Sequence, residues 1–302
     1  MQHQEWQQQN LAAIAQRLAP LRYLPDGAIY DEQAGLHRIR ILKTGSHLQL
    51  YFVDATNGTL EGPMSRIDLD QPLRLLAGYA QAALLTLIWR PAPQSICMLG
   101  FGGGRISMLL HHHLPAVTID NVDLDPAFRT IAPAYFGIEF DNRQRLFLDD
   151  ARHFLEAAAG QTYDIIIMDA FRDDSDQLDR LATAQFYRLC AQRLTKGGVV
   201  CANVLRSDPH FAAKIKTLSA QFSAVHLIEL KHALVIFGSA YRPISAAEIM
   251  ERAAALQQRH TFAFPFVERA ADLHALRDIS HEIQQQLSSA TILTDEAIHE
   301  ET

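Results

Sequence analysis

The sequence predicts an α/β fold: a mostly parallel sheet with helices on both faces, closed by an antiparallel hairpin. Three observations predict it. Between residues 73 and 240, apolar runs of strand length alternate with helical patterns. The stretch "MLGFGGGRISMLL", residues 98–110, places four glycines in five positions between one such run and the next helical pattern. The last two runs are separated only by Lys231 and His232, a link that allows only an antiparallel pair.

Taken in chain order, residues 1–72 read as a Gln-rich leading helix followed by two strands. "HRIRILK" (37–43) alternates polar and apolar, and "LQLYFVD" (48–54) follows a Gly45-Ser46 turn. "NGTLEGPM" then reads as loop, so this zone is expected to be a small N-terminal β-hairpin module. "LLAGYAQAALLTLIW" (75–89) is shorter than the ~20 residues of a membrane span and is interrupted by Gln81, so it reads as a buried helix. Strands follow at 95–99, 117–123, 145–149, 164–169 and 198–204, with helical patterns between them. The closing pair is "AVHLIEL" (224–230) and "ALVIFGS" (233–239). Five parallel strands and an antiparallel final hairpin make a seven-stranded sheet of the class I methyltransferase-like (Rossmann-like) kind. Residues 241–302 read as a helical C-terminal extension.

The chain has 302 residues, is 48% hydrophobic and carries a net charge of −7. That suffices for a sizeable core, and no long Lys/Arg stretch supports a nucleic-acid partner. The N-terminus lacks the basic and apolar regions of a signal peptide. Cys97, Cys190 and Cys201 show no metal or disulfide spacing and read as buried thiols in a reducing, cytoplasmic setting. His111, His112 and His113 are adjacent on a helix, so their side chains diverge, and no metal site is expected.

Gly100, Gly102 and Gly104 form G-x-G-x-G where the first parallel strand meets a helix. Open parallel sheets bind ligands at the carboxyl ends of their strands, where a helix N-terminus offers free N–H groups. The third glycine of a dinucleotide motif would fall on Arg105, so the shorter pattern suits an adenosyl-sulfonium ligand better. A tight strand-to-helix turn is the plain alternative. Asp123 ends the second strand, where a carboxylate can bind ribose hydroxyls or cap the next helix. Asp150 follows the third strand, beside Asp149, and can accept from an adenine amino group or cap "ARHFLEAAA". Asp169 ends the fourth strand after "DIIIM", where a buried carboxylate without a purpose is costly.

These motifs resemble those of spermidine synthases and the broader spermidine-synthase-like group. The likeness rests on "ICMLGFGGGRISMLL", "NVDLDP", "LFLDDARHFL", "YDIIIMDAF" and "FYRLCAQRLTKGGVVCANV", with "ILTDEA" (292–297) as a C-terminal cue. The resemblance implies a domain over 73–240 that binds S-adenosylmethionine or its decarboxylated form, a small-molecule amine acceptor, and a homodimer. Donor contacts are expected at Gly100, Gly102, Gly103, Gly104, Arg105, Asp123, Asp150 and Asp169, and the resemblance implies Asp169 as the base.

The departures bear on the reaction. Aminopropyltransferases carry Gly-Gly-Gly-Asp-Gly at the first loop, and their Asp, which holds the donor amine, is Gly103 here. Arg105 could instead pair with the carboxylate of an intact donor. The family's Tyr-Gln reads Leu36-His37, and its Tyr-His-Glu has "GYAQ" at Tyr79 as the nearest match. Asn203 stands where spermidine synthases usually have Gln; group members not committed to polyamines often show Asn. Three readings follow: methyl transfer from intact S-adenosylmethionine, aminopropyl transfer from the decarboxylated donor, and nucleoside binding without catalysis. The acidic residues Asp173, Asp174 and Asp176 would favour the second by attracting a polycation. The acceptor is expected near the 169–176 loop, the hairpin module and the "LTDE" segment (293–296). Tyr51, Phe171 and Phe264 are the aromatic residues considered there, as core or pocket.

Overall fold

A computed structural model of the protein describes residues 2–157, 160–169 and 180–300. Two sheets organise the chain. The first is antiparallel, with β1 (Gly27–Ala34), β2 (His37–Thr44), β3 (His47–Val53) and β4 (Leu60–Asp68) in that order. Alternation in β2 and β3 sends Ile39, Ile41, Leu48 and Leu50 inward, all fully buried, with Ile41 opposite Leu50. Gly45 makes the turn between them at φ +58°. The expected hairpin is therefore the centre of a four-stranded sheet. Its two outer strands escape pattern reading because they lie at edges: β1 is largely exposed, and β4 contains Gly62-Pro63, tolerated where no ladder bond is needed.

The leading helix α1 (Gln2–Arg22) lies against the second sheet's helices. Ile14 and Leu18 pack on Gly137, Arg17 Nε donates to the Gly137 carbonyl over 3.0 Å, and Trp6 Nε1 donates to the His112 carbonyl over 3.2 Å. Together with β2, β3 and the helix at Phe128–Phe136 it encloses its own apolar cluster.

The second sheet holds β5 (Ser95–Leu99), β6 (Thr118–Asp123), β7 (Gln144–Leu148), β8 (Tyr163–Met168) and β9 (Leu194–Leu205), all parallel. It also holds β10 (Ala224–Glu229) and β11 (Ala233–Ser239), an antiparallel pair joined to β9 through β11. The seven expected strands are present. A correction concerns the tail, which adds an eighth: β12 (His274–Ala275) pairs with β10 through His226 and Leu227, giving the order β7-β6-β5-β8-β9-β11-β10-β12. A two-residue strand carries no periodicity to read.

Helices cover both faces. One face carries α2 (Gly78–Ala83) with its 3₁₀ continuation Leu84–Ile88, and α3 (Arg105–His113). The tail helices α8 (Ala246–His260) and α9 (Phe266–Ala271) pack there too. The other face carries α5 (Ala151–Ala157), α6 (Ala184–Arg193), α7 (Phe211–Gln221) and α10 (His281–Ser289). Between these groups in sequence lies α4 (Phe128–Phe136), and α11 (Asp295–Glu300) ends the described chain. Every residue of β8 is buried, which accounts for its unbroken apolar run.

The adjacent histidines are all buried and diverge: His111 meets Asp141, His112 meets Asn10 and His113 meets Gln7. No metal-ligand cluster occurs among the described residues. The three cysteines are buried and free. No helix among the described residues is long and apolar enough to cross a membrane.

Candidate active site

The carboxyl ends of β5, β6, β7 and β8 open into a cavity that β2 and β4 roof from above. It encloses about 1340 Å³ of empty space, counting its open mouth. Gly100 (φ +86°), Gly102 (+53°) and Gly104 (+67°) turn the chain through left-handed conformations that side chains disfavour. Gly104 is the N-cap of α3 and supplies no side-chain cap, so the helix presents bare N–H groups at the turn.

Gly103 differs from its neighbours. Its N–H donates to Ser65 Oγ over 3.0 Å, and a Cβ placed on it would lie 2.6 Å from that oxygen and 2.8 Å from the Ser65 Cβ. The first sheet thus fills the space beside Gly103. Next to Ser65, Arg66 is exposed, lines the cavity and makes no ion pair among the described residues.

Asp123 ends β6 beneath the turn. Its Oδ2 accepts from the Phe101 N–H (2.8 Å) and the Gly102 N–H (3.2 Å), and Oδ1 accepts from the Asp125 N–H (2.9 Å). Burial raises its carboxyl above the ordinary range, against the pull of these backbone donors. Asp125 receives the Ala127 N–H and pairs with His37 Nδ1 over 2.9 Å; His37 stacks on Phe52. This contact docks the first sheet on the second, and Gly35 leaves room for it, since a Cβ there would strike Asp125.

Asp149 and Asp150 both line the cavity. Asp150 Oδ1 accepts from the Arg152 and His153 N–H groups (2.9 and 3.0 Å), the geometry of a cap on α5. Asp149 Oδ1 accepts from the Asp150 N–H and pairs with His153.

Asp169 leaves β8 with its N–H on the Leu99 carbonyl (2.8 Å). Its Oδ1 accepts from Asn203 Nδ2 over 3.1 Å, and Tyr79 hydrogen-bonds the same carboxylate. Burial pushes the Asp169 carboxyl up to about 7, although Asn203 and Tyr79 stabilise its anion. The segment around Tyr79 noted in the sequence is thereby brought to the fourth strand's end.

Arg105 lines the cavity from the first turn of α3. As a first-turn helix residue it could have been solvated, or have presented its guanidinium to a carboxylate; the side chain is buried at 7% exposure and committed to backbone. Its Nη2 donates to the Pro72 and Arg74 carbonyls, and Nη1 faces Met108 Sδ. Its Nε has no partner, no carboxylate pairs with it among the described residues, and burial pulls the guanidinium down to about 9.

Residues 170–176 lie outside the described residues, and with them Phe171, Asp173, Asp174 and Asp176. The 293–296 segment is not on the cavity wall. Asp295 makes a bidentate pair with Arg152 (both contacts 2.8 Å), and Leu293 is core. Phe264 is likewise core, its ring tilted against those of Phe262 and Phe266. Ser65 and Arg66 had no sequence signal, because the loop read over 57–64 covers the start of β4 and no strand was assigned after it.

The sequence matches the family model of the spermine/spermidine synthase domain over residues 84–235. A polyamine aminopropyltransferase of Vibrio vulnificus is 30% identical over 157 residues, 50% of this chain and 52% of that protein. An eEF1A lysine and N-terminal methyltransferase of Mus musculus is 29% identical over 103 residues, 32% of this chain and 15% of that protein. The match thus spans about half of the first relative and much less of the second. A probable spermidine synthase of Corynebacterium glutamicum shares the fold, with a TM-score of 0.65 at 19% identity over 90% of this chain and 97% of that one.

Proposed function

The chain belongs to the spermine/spermidine synthase family, and on that premise we propose that it transfers a methyl group from intact S-adenosylmethionine to an amine or similar nucleophile. One observation carries the choice of donor. Ser65 occupies the space beside Gly103, the position at which the resemblance places an aminopropyltransferase's amine-binding Asp. Two cations stand on the same wall, which also carries Asp123, Asp149, Asp150 and Asp169: Arg66 makes no ion pair among the described residues, and Arg105 is buried without a carboxylate partner. A donor that keeps its carboxylate can meet such a cation, whereas a donor ending in an amine finds no carboxylate at the Gly103 position.

The residues fit a nucleoside donor. The glycine turn is a cradle bare of side chains, and Asp123 retains lone pairs beyond the three N–H groups it accepts. In this reading Gly100, Gly102 and Gly104 admit the nucleoside while Gly103, packed on Ser65, shapes the turn, Asp123 takes the ribose hydroxyls, and Asp149 and Asp150 face the adenine. Arg105 contributes charge and no direct ion pair. The donor supplies a carbon on a sulfonium sulfur, a leaving group already activated.

Asp169 then has one role. It accepts the proton that the acceptor nitrogen loses as its new N–C bond forms and the S–C bond breaks. A carboxyl near 7 is suited to that exchange at neutral pH. Asn203 and Tyr79 hold it in place. The rest is alignment and exclusion of water, worth about 7–11 kcal/mol in a well-ordered site. A homodimer and a cytoplasmic location are parts of the same proposal.

Calorimetric titration of the protein with S-adenosylmethionine and, separately, with its decarboxylated form tests the reading. The intact donor is expected to bind more tightly. Tighter binding of the decarboxylated donor would make aminopropyl transfer the function. Donor binding without turnover on any amine would leave a nucleoside-binding protein.

A further inference from the structure

A second cavity lies at the opposite edge of the large sheet, where the parallel strands begin. Arg90, Lys196, Arg242 and Arg252 line it, with Trp89 and Glu248. Its open volume is about 710 Å³. Four cations therefore surround one space whose wall holds a single carboxylate.

Three of these cations are held in place. Arg90 pairs with buried Asp164 and donates through Nη1 to the Lys196 carbonyl over 3.3 Å. Arg252 donates to the Ile88 carbonyl over 2.8 Å and to Glu248 over 2.5 Å. Arg242 grips both oxygens of Glu248 (2.8 and 2.9 Å). The Lys196 side chain is exposed and makes no hydrogen bond or ion pair among the described residues. Glu248 lies in the first turn of α8, a 15-residue helix whose N-terminus adds positive potential to the same space. Trp89, 8% exposed, forms part of the apolar wall of the same space.

We propose that this cavity is a binding site for a small, multiply charged oxyanion, distinct from the glycine-turn cavity. The ligand's oxygens would meet Lys196, Arg90 and Arg242, and Glu248 would act as the internal anion that competes for Arg242 and Arg252. A phosphoryl group and a polycarboxylate share this chemistry, because guanidinium forks match both.

The test is calorimetric titration of the full chain at low salt with pyrophosphate and, in a separate arm, with citrate. Saturable one-site binding of either is expected, and the preferred arm identifies the oxyanion. Lys196→Ala and Arg242→Ala should each weaken it about tenfold, the value of one charged hydrogen bond. Glu248→Gln should tighten it, because the competing carboxylate is gone. Donor titration at the other cavity should be unchanged in Lys196→Ala, a surface substitution that leaves the fold intact. Binding of neither anion, or binding that Lys196→Ala and Arg242→Ala leave unmoved, overturns the proposal.

Discussion

The Gly103 N–H donates to Ser65 Oγ across 3.0 Å, joining the glycine turn of the large sheet to the fourth strand of the small one. The contact ties the glycine turn to the docking of two sheets: a residue 38 positions away in sequence decides what fits beside Gly103.

Gly103→Ala is therefore expected to destabilise the protein by about 1–3 kcal/mol, the usual range for forcing extra atoms into packed space. Its Cβ would meet Ser65 Oγ at 2.6 Å and Phe136 at 3.1 Å. Adding Ser65→Gly should recover most of the loss, less the hydrogen bond. Urea denaturation of both variants checks this; a neutral Gly103→Ala would show that the two sheets give way easily.

Transfer activity should rise with pH through a limb near 7, because Asp169 is buried and accepts protons only when ionised. Asn203→Leu removes a donor that stabilises the anion, so the limb should move to higher pH. Asp169→Asn should lower kcat by about 10²–10⁴ with little change in donor affinity. The same raised carboxyl sets a stability trend. Protonated Asp169 suits the folded state, so the wild type should lose stability relative to Asp169→Asn as pH rises from the ordinary carboxylate range to about 7. Rates and melting temperatures across about pH 4–9 would read both effects.

The Arg152–Asp295 pair fastens the end of the chain to α5, and Arg152 also reaches Thr183. Arg152 holds the Asp295 carboxyl below the ordinary range. The sign is opposite to that of Asp169: this contribution is present above the ordinary carboxylate range and is lost as pH falls through the lowered value. Asp295→Asn should lower the melting temperature at neutral pH, and the gap to wild type should close below about pH 4. A gap that persists unchanged in stronger acid would mean that the ion pair is not what fastens the tail.

The large sheet was legible because its strands are buried on both faces and so read as unbroken apolar runs; β8 is the clearest case. The two-residue link at Lys231-His232 fixed the antiparallel end. The edge strands were not legible. β4 hides behind Gly62-Pro63, and β12 is too short for any period. With β4 went Ser65 and Arg66.

By itself, the sequence determined the order of the seven long strands of the large sheet, the glycine turn, and the carboxylates at the ends of β6, β7 and β8, because local spacing and burial on two faces leave few alternatives. Only the tertiary structure decided what those groups face. It turned Arg105 inward to the Pro72 and Arg74 carbonyls, placed Asp295 on Arg152 away from the cavity, and brought Ser65 against Gly103. The physical reason is the same in each case. A side chain's partner tens of residues away or more is set by how the sheets and helices pack, and no periodicity along the chain records that distance.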